Sequence, residues 1–512
     1  MKKVAITKII TLVVSIVILG ALLVIRSSGE KIELNLRVGN ETINIYENED
    51  DSYLFLPSHA DVNEVKQKRL VKATNPVVMK SENIPSIFIT TKSSDINTIY
   101  SDKNYKEPGK MRVYSIDGDL IAKGGLKYIK GRGNYSWNSW DKKSFTLCFD
   151  KEICICDLPA GQNYALIANA SDPTCLRNEI GRQLEQRLNI AGSSPGLFLD
   201  LYIDGNYMGN YYLAPAVEIG KDRIDIADLE ATMKEIYKKT NVDSINIYET
   251  PEKKALNLPQ NPSDITGGYV VEREFVERYK TEYGENKSCF VTTGEEHFVV
   301  KSPKYCSVAE IEYISNYFDE VEKALMSEDG INPDTGKYIS EYIDMESFAK
   351  WYLVEEVIKN YDAGVSSTYY YKDSNLVDGR LKISTGWDFD MSLGNYLDWM
   401  EYSKEDYKNL TKLGTVASST SWFVRLYDRE DFQEILREEF QKVVIPYVNE
   451  LNDSGIAAYY NMLKPSTSMD AIRWKDMYIS NDYMIGDRAE YDYLADFLKS
   501  RQDYLSKIWI TE

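Results

Sequence analysis

The stretch from Trp351 to Asn395 constrains this chain most. It opens with apolar residues at Trp351, Val354, Val357 and Ile358, the spacing of one helical face. Asn360-Tyr361-Asp362-Ala363-Gly364 then ends the periodicity, because Asn, Asp and Gly favour turns over helix. Two runs of strand composition follow, Thr368 to Tyr371 and Arg380 to Ser384, joined by a polar loop. They deliver the chain to Trp387-Asp388-Phe389-Asp390. Helix, acidic loop, hairpin and second acidic loop in that order predict an α+β domain. A single acidic loop residue ordinarily caps a turn or bonds loop backbone. The ordered set is what points to chemistry.

The chain before this stretch is rich in strand signals. Residues 29–83 alternate apolar and polar (Ile32, Leu34, Leu36; Ile43, Ile45) and read as a small β-rich module or stalk. The main domain, 84–512, starts with the strand-like Ile84 to Thr91, followed by Met111 to Tyr114 and Leu126 to Lys130. The last enters Lys130-Gly131-Arg132-Gly133-Asn134-Tyr135-Ser136-Trp137, after which Lys142-Lys143-Ser144-Phe145-Thr146-Leu147-Cys148-Phe149 alternates as a half-buried strand. Glycines between two strands, rather than between strand and helix, disfavour a Rossmann or Walker loop. They suit a flap whose backbone approaches phosphates, with a lysine on the returning strand to neutralise them. By itself the segment is also an ordinary hairpin turn.

Asn163 to Asn169 reads as a buried strand, and Asp172-Pro173 starts a helix with an apolar stripe at Leu176, Ile180, Leu184 and Leu188. Arg177, Glu179 and Arg182 lie off that stripe. Leu197 to Tyr202 and Met208 to Leu213 form a hairpin across Asp204-Gly205-Asn206. Residues 221–262 read as a peripheral insertion, Val308 to Met326 as a helix, and the chain past Gly394 as mostly helical.

Charge and rare residues narrow the function classes. A net charge of −20 disfavours unaided binding to nucleic acid or to an anionic membrane. With only two histidines, His59 and His297, HExxH zinc sites are absent, and no GxSxG elbow accompanies either residue. The six cysteines permit disulfides without fixing their pairing; Cys148 with Cys154 or Cys156, and Cys289 with Cys306, are plausible local bridges, and buried thiols are the alternative. Lys2, Lys3 and Lys8 precede an apolar run, Ile9 to Ile25, closed by Arg26. Residues 1–28 thus read as a signal peptide or signal anchor, with length and flanks favouring the anchor and the body outside the cytoplasm.

Taken together, the pieces KGRGNYSW with KKSF, NYALIANASDPTCLRNEI, LYIDGNYMGNYYL with Glu218, DITGGYVVE, FVVKSP, SFAKWYLVEEVIKNYDA, STYYYKD and GWDFD with Gly394 resemble, in order, the CotH family of atypical secreted or spore-coat protein kinases. The resemblance covers roughly residues 84–512. It implies a kinase-like fold, β-rich at its N-terminal part and helical at its C-terminal part, that transfers phosphate from ATP to serine-containing proteins. It implies that Lys143, or alternatively Lys142, contacts nucleotide phosphates beneath a loop at Arg132, Gly133 and Asn134. Glu179 would pair with that lysine, and Asp362 would orient or deprotonate the acceptor hydroxyl. Asp388 would hold magnesium, with Asp390 as alternative or second ligand. Two departures leave the number of metals open: Ser367 stands where ordinary kinases place a metal-binding Asn, and Trp-Asp-Phe-Asp replaces Asp-Phe-Gly. Two rivals remain. One is a catalytically silent kinase-like surface module that binds partners. The other is a glycoside hydrolase using Asp362 and Asp388, which has no need of the glycine loop and paired lysines.

Overall fold

The computed structural model describes residues 83–285, 288–364, 366–386, 388–395, 420–481 and 484–510, together with the backbone of five short strands before residue 79. The apolar run Ile9 to Ile25 and Trp387 lie outside the described residues. Among those described, no helix is long and apolar enough to cross a membrane. Three of the early strands, Glu33–Val38, Glu41–Glu47 and Tyr53–Pro57, pair antiparallel in that order. They fall where the alternation predicts strands.

The chain divides into two compact units, each assembled from separated segments. The first comprises Met1–Ser144, Phe198–Tyr211 and Asn461–Gly486. In it, strands Ser86–Thr91, Glu107–Tyr114 and Leu120–Arg132 form an antiparallel meander, and Leu197–Ile203 runs parallel to Ser86–Thr91. Ile87, Ile89, Met111, Val113, Leu201 and Ile203 are all buried in its core. The Asp204-Gly205 turn has both residues at positive φ, the geometry a two-residue hairpin requires. Segment 461–486 contributes helical turns fixed by polar bonds: Trp474 donates from Nε1 to the Met208 carbonyl, and Arg473 from Nε to that of Tyr207.

The second unit comprises Phe145–Leu197, Tyr212–Tyr460 and Asp487–Glu512. Strand Gly161–Ile167 pairs antiparallel with Ser144–Ile153 on one side and Asn206–Pro215 on the other. A seven-stranded antiparallel sheet runs in the order Ile247–Glu249, Lys253–Leu256, Cys289–Val291, His297–Ser302, Tyr269–Glu274, Thr368–Lys372, Leu381–Ile383. Its first two strands come from the stretch read as a peripheral insertion. Helix Val308–Met326 begins at a reciprocal Ser307/Glu310 capping box and packs Phe318 edge-on against Phe298 and Tyr370. Helix Met345–Ile358 brings Phe348, Trp351 and Tyr352 against Phe423. Its outer turn carries Glu356, ion-paired in a fully buried site to Arg501 of helix Arg488–Trp509.

The suggested cysteine bridges are absent: all six cysteines are thiols. Cys289 sits buried on its strand beside Tyr279 and Val299, while Cys306 turns its sulfur toward the Pro303 carbonyl. Cys148 likewise faces the Phe149 carbonyl, and Cys154 the carbonyls of Cys156 and Leu158.

Candidate active site

Helix Met345–Ile358 starts where Asp344 accepts a bond from the Ser347 amide and ends at Lys359, whose φ of 50° reverses the chain. That left-handed residue turns Asn360–Gly364 off the helix axis. The Asp362 amide donates to Asn360 Oδ1 at 3.3 Å, closing a small turn that fixes the carboxylate. Two backbone bonds tie this loop to the second acidic loop: Tyr361 N–H to the Met391 carbonyl at 3.0 Å, and Leu393 N–H to the Ile358 carbonyl at 2.8 Å. The acids Asp362, Asp388 and Asp390 therefore share one corner of the second unit.

The second loop is anchored through its apolar residue. Phe389 is fully buried, its amide donating to Asn178 Oδ1 at 3.1 Å. Its ring lies on the bare Cα of Gly181 on helix Arg177–Arg187; a Cβ there would come within 2.7 Å of ring carbons. Fixing Phe389 fixes the backbone on both sides, including Asp388 with its φ of 65°. Asp390 Oδ2 accepts from Ser171 Oγ at 3.0 Å, and Asn395 Nδ2 donates to the carbonyls of Asp390 and Ser171. Beneath the loop runs Arg177, buried and ion-paired to Asp172, its Nε donating to the Ser392 carbonyl at 3.0 Å and its far amino group to that of Leu393 at 3.3 Å. Sequence reasoning left Arg177 off the apolar stripe. No periodic signal marks a guanidinium whose carbonyl partners, Ser392 and Leu393, lie more than 200 positions away.

The carboxylates sense one another. Burial, then Asp388 and Asp390, push Asp362 up to about 7, and Arg278 opposes the rise. Burial, then Asp388, raise Asp390 to about 6, with the Ser171 bond pulling the other way. Arg278 comes from helix Val276–Glu285, a polar segment in which no motif stood out, and it also donates to Glu274 at 3.0 Å. Paired oxygen donors in such a negative field suit a hard divalent cation. Among the described residues no group of three or more Asp, Glu, His or Cys side chains is placed to hold a metal. Two aspartates completed by phosphate oxygens and water is a donor set magnesium accepts.

Glu179 is buried on helix Arg177–Arg187, where it accepts bonds from Tyr212 Oη at 2.5 Å, Gln183 Nε2 at 2.7 Å, Tyr459 Oη at 3.0 Å and the Gly196 amide at 3.3 Å. The remaining candidates belong to the first unit. Lys142 is fully buried and ion-paired to Asp470 at 2.5 Å, and Asp470 also accepts from the Asn210 amide and Tyr478. Lys143 is half-exposed; its ammonium donates to the carbonyls of Trp137, at 2.5 Å, and Trp140, and partial burial lowers its pKa. Those carbonyls belong to the middle and the C-cap of the short helix Tyr135–Ser139, which fills the turn between the two strands. Gly133 has a φ of 85°, and Lys103 bonds both its carbonyl and Asn134 Oδ1. Arg132 ends the strand Leu120–Arg132.

Comparison with known proteins bears on these observations. The sequence model of the CotH family, described as CotH kinase protein, matches residues 129–505. Among curated proteins there is no match. Among solved structures the chain is similar to the crystal structure of the Helicobacter pylori proinflammatory kinase CtkA. The two are 9% identical, over 72% of this chain and 94% of that one, with a TM-score of 0.27. That likeness is too slight to carry an argument.

Proposed function

Since the chain belongs to the CotH kinase family, we propose that it is a phosphotransferase that moves the γ-phosphoryl of ATP to serine or threonine hydroxyls of proteins. The observation that carries this is the acid corner: three aspartates on two backbone-bonded loops, with Asp362 raised to about 7. A carboxylate poised there is matched to taking a proton from a hydroxyl near neutral pH. Asp362 accepts that proton at its carboxylate as the hydroxyl oxygen attacks the γ-phosphorus and the bond from phosphorus to the bridging oxygen of the β-phosphate breaks, ADP leaving. Asp388 and Asp390 hold the metal side of the site, with Ser171 fixing the orientation of Asp390. Magnesium, when bound, would neutralise the phosphate oxygens. Lys143, or alternatively Lys142, is the cation assigned to the nucleotide phosphates, beneath Arg132, Gly133 and Asn134. The reading extends to an extracytoplasmic protein at the cell surface, supported by the apolar run Ile9 to Ile25 behind three lysines.

One observation favours the silent-module rival. Lys142 is already neutralised by Asp470, and Lys143 is turned onto two carbonyls of its own unit. Purified chain, radiolabelled ATP, magnesium and casein-like proteins decide between the readings. Incorporation abolished by Asp388→Ala supports the kinase, whereas no incorporation above the Asp388→Ala background supports the binding module.

A further inference from the structure

Behind the acid corner lie two further carboxyl groups that the reaction does not use. Glu185, on helix Arg177–Arg187, and Glu355, in the last turn of helix Met345–Ile358, are both buried. Glu185 Oε1 accepts from the Gly386 amide and Oε2 from Thr385 Oγ1 at 2.6 Å. Both side chains face the bare Cα of Gly386, where a Cβ would meet Glu185 Oε1 at 3.0 Å and Glu355 Oε1 at 3.1 Å. Thr385 and Gly386 lead into Asp388, and Glu355 lies one helical turn before the loop of Asp362. The two acids thus stand where the segments bearing the proposed catalytic carboxylates meet.

Their surroundings are unequal. Burial raises Glu185 to about 7, with a hydroxyl, an amide and the nearby charge of Arg182 pulling the other way. Glu355 faces Glu185 and Asp362, its main relief is a bond with Asn360, and its Oε2 has no hydrogen-bond partner among the described residues. Two buried carboxylates so placed cannot both ionise cheaply, and the proton belongs on the one with fewer donors. We propose that Glu355 is a neutral carboxylic acid in the folded protein and, beside Glu185, acts as a positioning residue that holds the Asp388 loop against the end of the helix delivering Asp362.

Burial and Glu185 hold the Glu355 pKa well above the carboxylate range, in keeping with this. The folded state then carries a proton the unfolded chain releases. Its stabilisation is full below the ordinary glutamate range and lost as pH rises above it. The reading deepens the proposed kinase function and rests on it for its catalytic part, so the decisive readout is independent of activity. Thermal unfolding of the full chain is followed from about pH 5 to about pH 8 for wild type, Glu355→Gln and Glu185→Gln. Glu355→Gln keeps the neutral shape, so its melting temperature should gain on wild type by about 2–4 °C across that range. Parallel curves overturn the proposal whether or not the protein transfers phosphate. Should Glu355→Gln fail to fold, Glu185→Gln replaces it: removing the neighbouring charge brings the Glu355 pKa down, so the loss of stability with rising pH must become smaller and end at lower pH, and an unchanged loss overturns the proposal. If phosphate transfer is detected, Glu355→Ala should lower kcat about 10–100-fold with the KM for ATP unchanged. A rise in KM alone counts against positioning.

Discussion

Replacing Gly181 by alanine sets two opposing effects against each other at one atom. In a helix interior the change ordinarily stabilises by about 1 kcal/mol, because alanine loses less backbone entropy. Here the new methyl would lie 2.7 Å from two carbons of the Phe389 ring and 3.0 Å from a third, where ordinary contact begins at 3.4 Å. The ring must retreat by about 0.7 Å, and overpacking of a buried site costs about 1–3 kcal/mol. The net is a loss of about 0–2 kcal/mol, small enough that the protein folds. Function should suffer more than stability. Phe389 stands between Asp388 and Asp390, and misplacing reacting groups by about 1 Å costs about 100-fold in rate, so transfer should fall about tenfold or more. Urea unfolding and phosphate incorporation are measured on Gly181→Ala, Phe389→Leu and the double variant. The smaller side chain should relieve the clash, making the double variant better than the sum of the singles. A Gly181→Ala protein that is more stable and fully active would show that the Phe389 packing does not set the acid corner.

Other outcomes follow from the same geometry. Asp388→Asn and Asp390→Asn should each weaken magnesium-dependent binding of ATP, measured by calorimetry; affinity unchanged in both would remove these residues from the metal side of the site. Transfer should rise as pH increases through about 7, where Asp362 loses its proton, and Asp362→Asn should remove that rise. The same raised value means the folded chain binds a proton more tightly than the unfolded one, so the Asp362 contribution to stability falls as pH rises from about 4 to about 7. Asp470→Ala leaves the Lys142 ammonium buried without its counter-charge and should cost about 3–5 kcal/mol by denaturant titration, much of it restored by adding Lys142→Met. Lys143→Ala should raise the KM for ATP while leaving the melting temperature within a few degrees; an unchanged KM would take Lys143 out of nucleotide binding.

Features whose cause is local were readable in advance. Helix Val308–Met326 has its capping box three residues apart, the hairpin at Asp204-Gly205 needs only its own two residues, and Asp344 caps the helix that immediately follows. The backbone bonding of the two acidic loops agrees with their order in the chain. Buried polar residues were not readable. Arg177, Glu179 and Arg182 sit off the apolar stripe yet are all buried; Arg177 and Glu179 are satisfied in part by Ser392 and Tyr459 from distant segments, and such partners leave no periodic trace. Lys142 and Lys143 adjoin in the sequence, and strand alternation alone could not say which is buried; Asp470 decides it. Helix Val276–Glu285 escaped notice because its residues are mostly polar.

The segmented make-up of the first unit has a consequence for biosynthesis. Asn461–Gly486 belongs to it, and Asp470, which neutralises Lys142, lies in that segment. A ribosome will have made nearly all of the second unit before the first can be finished. The early meander must therefore wait, incomplete, for its last piece, and a nascent chain stalled before residue 470 would keep a cation without its mate in that half-built core. Truncation from the C-terminus should for this reason damage the N-terminal strands as severely as the helices it removes.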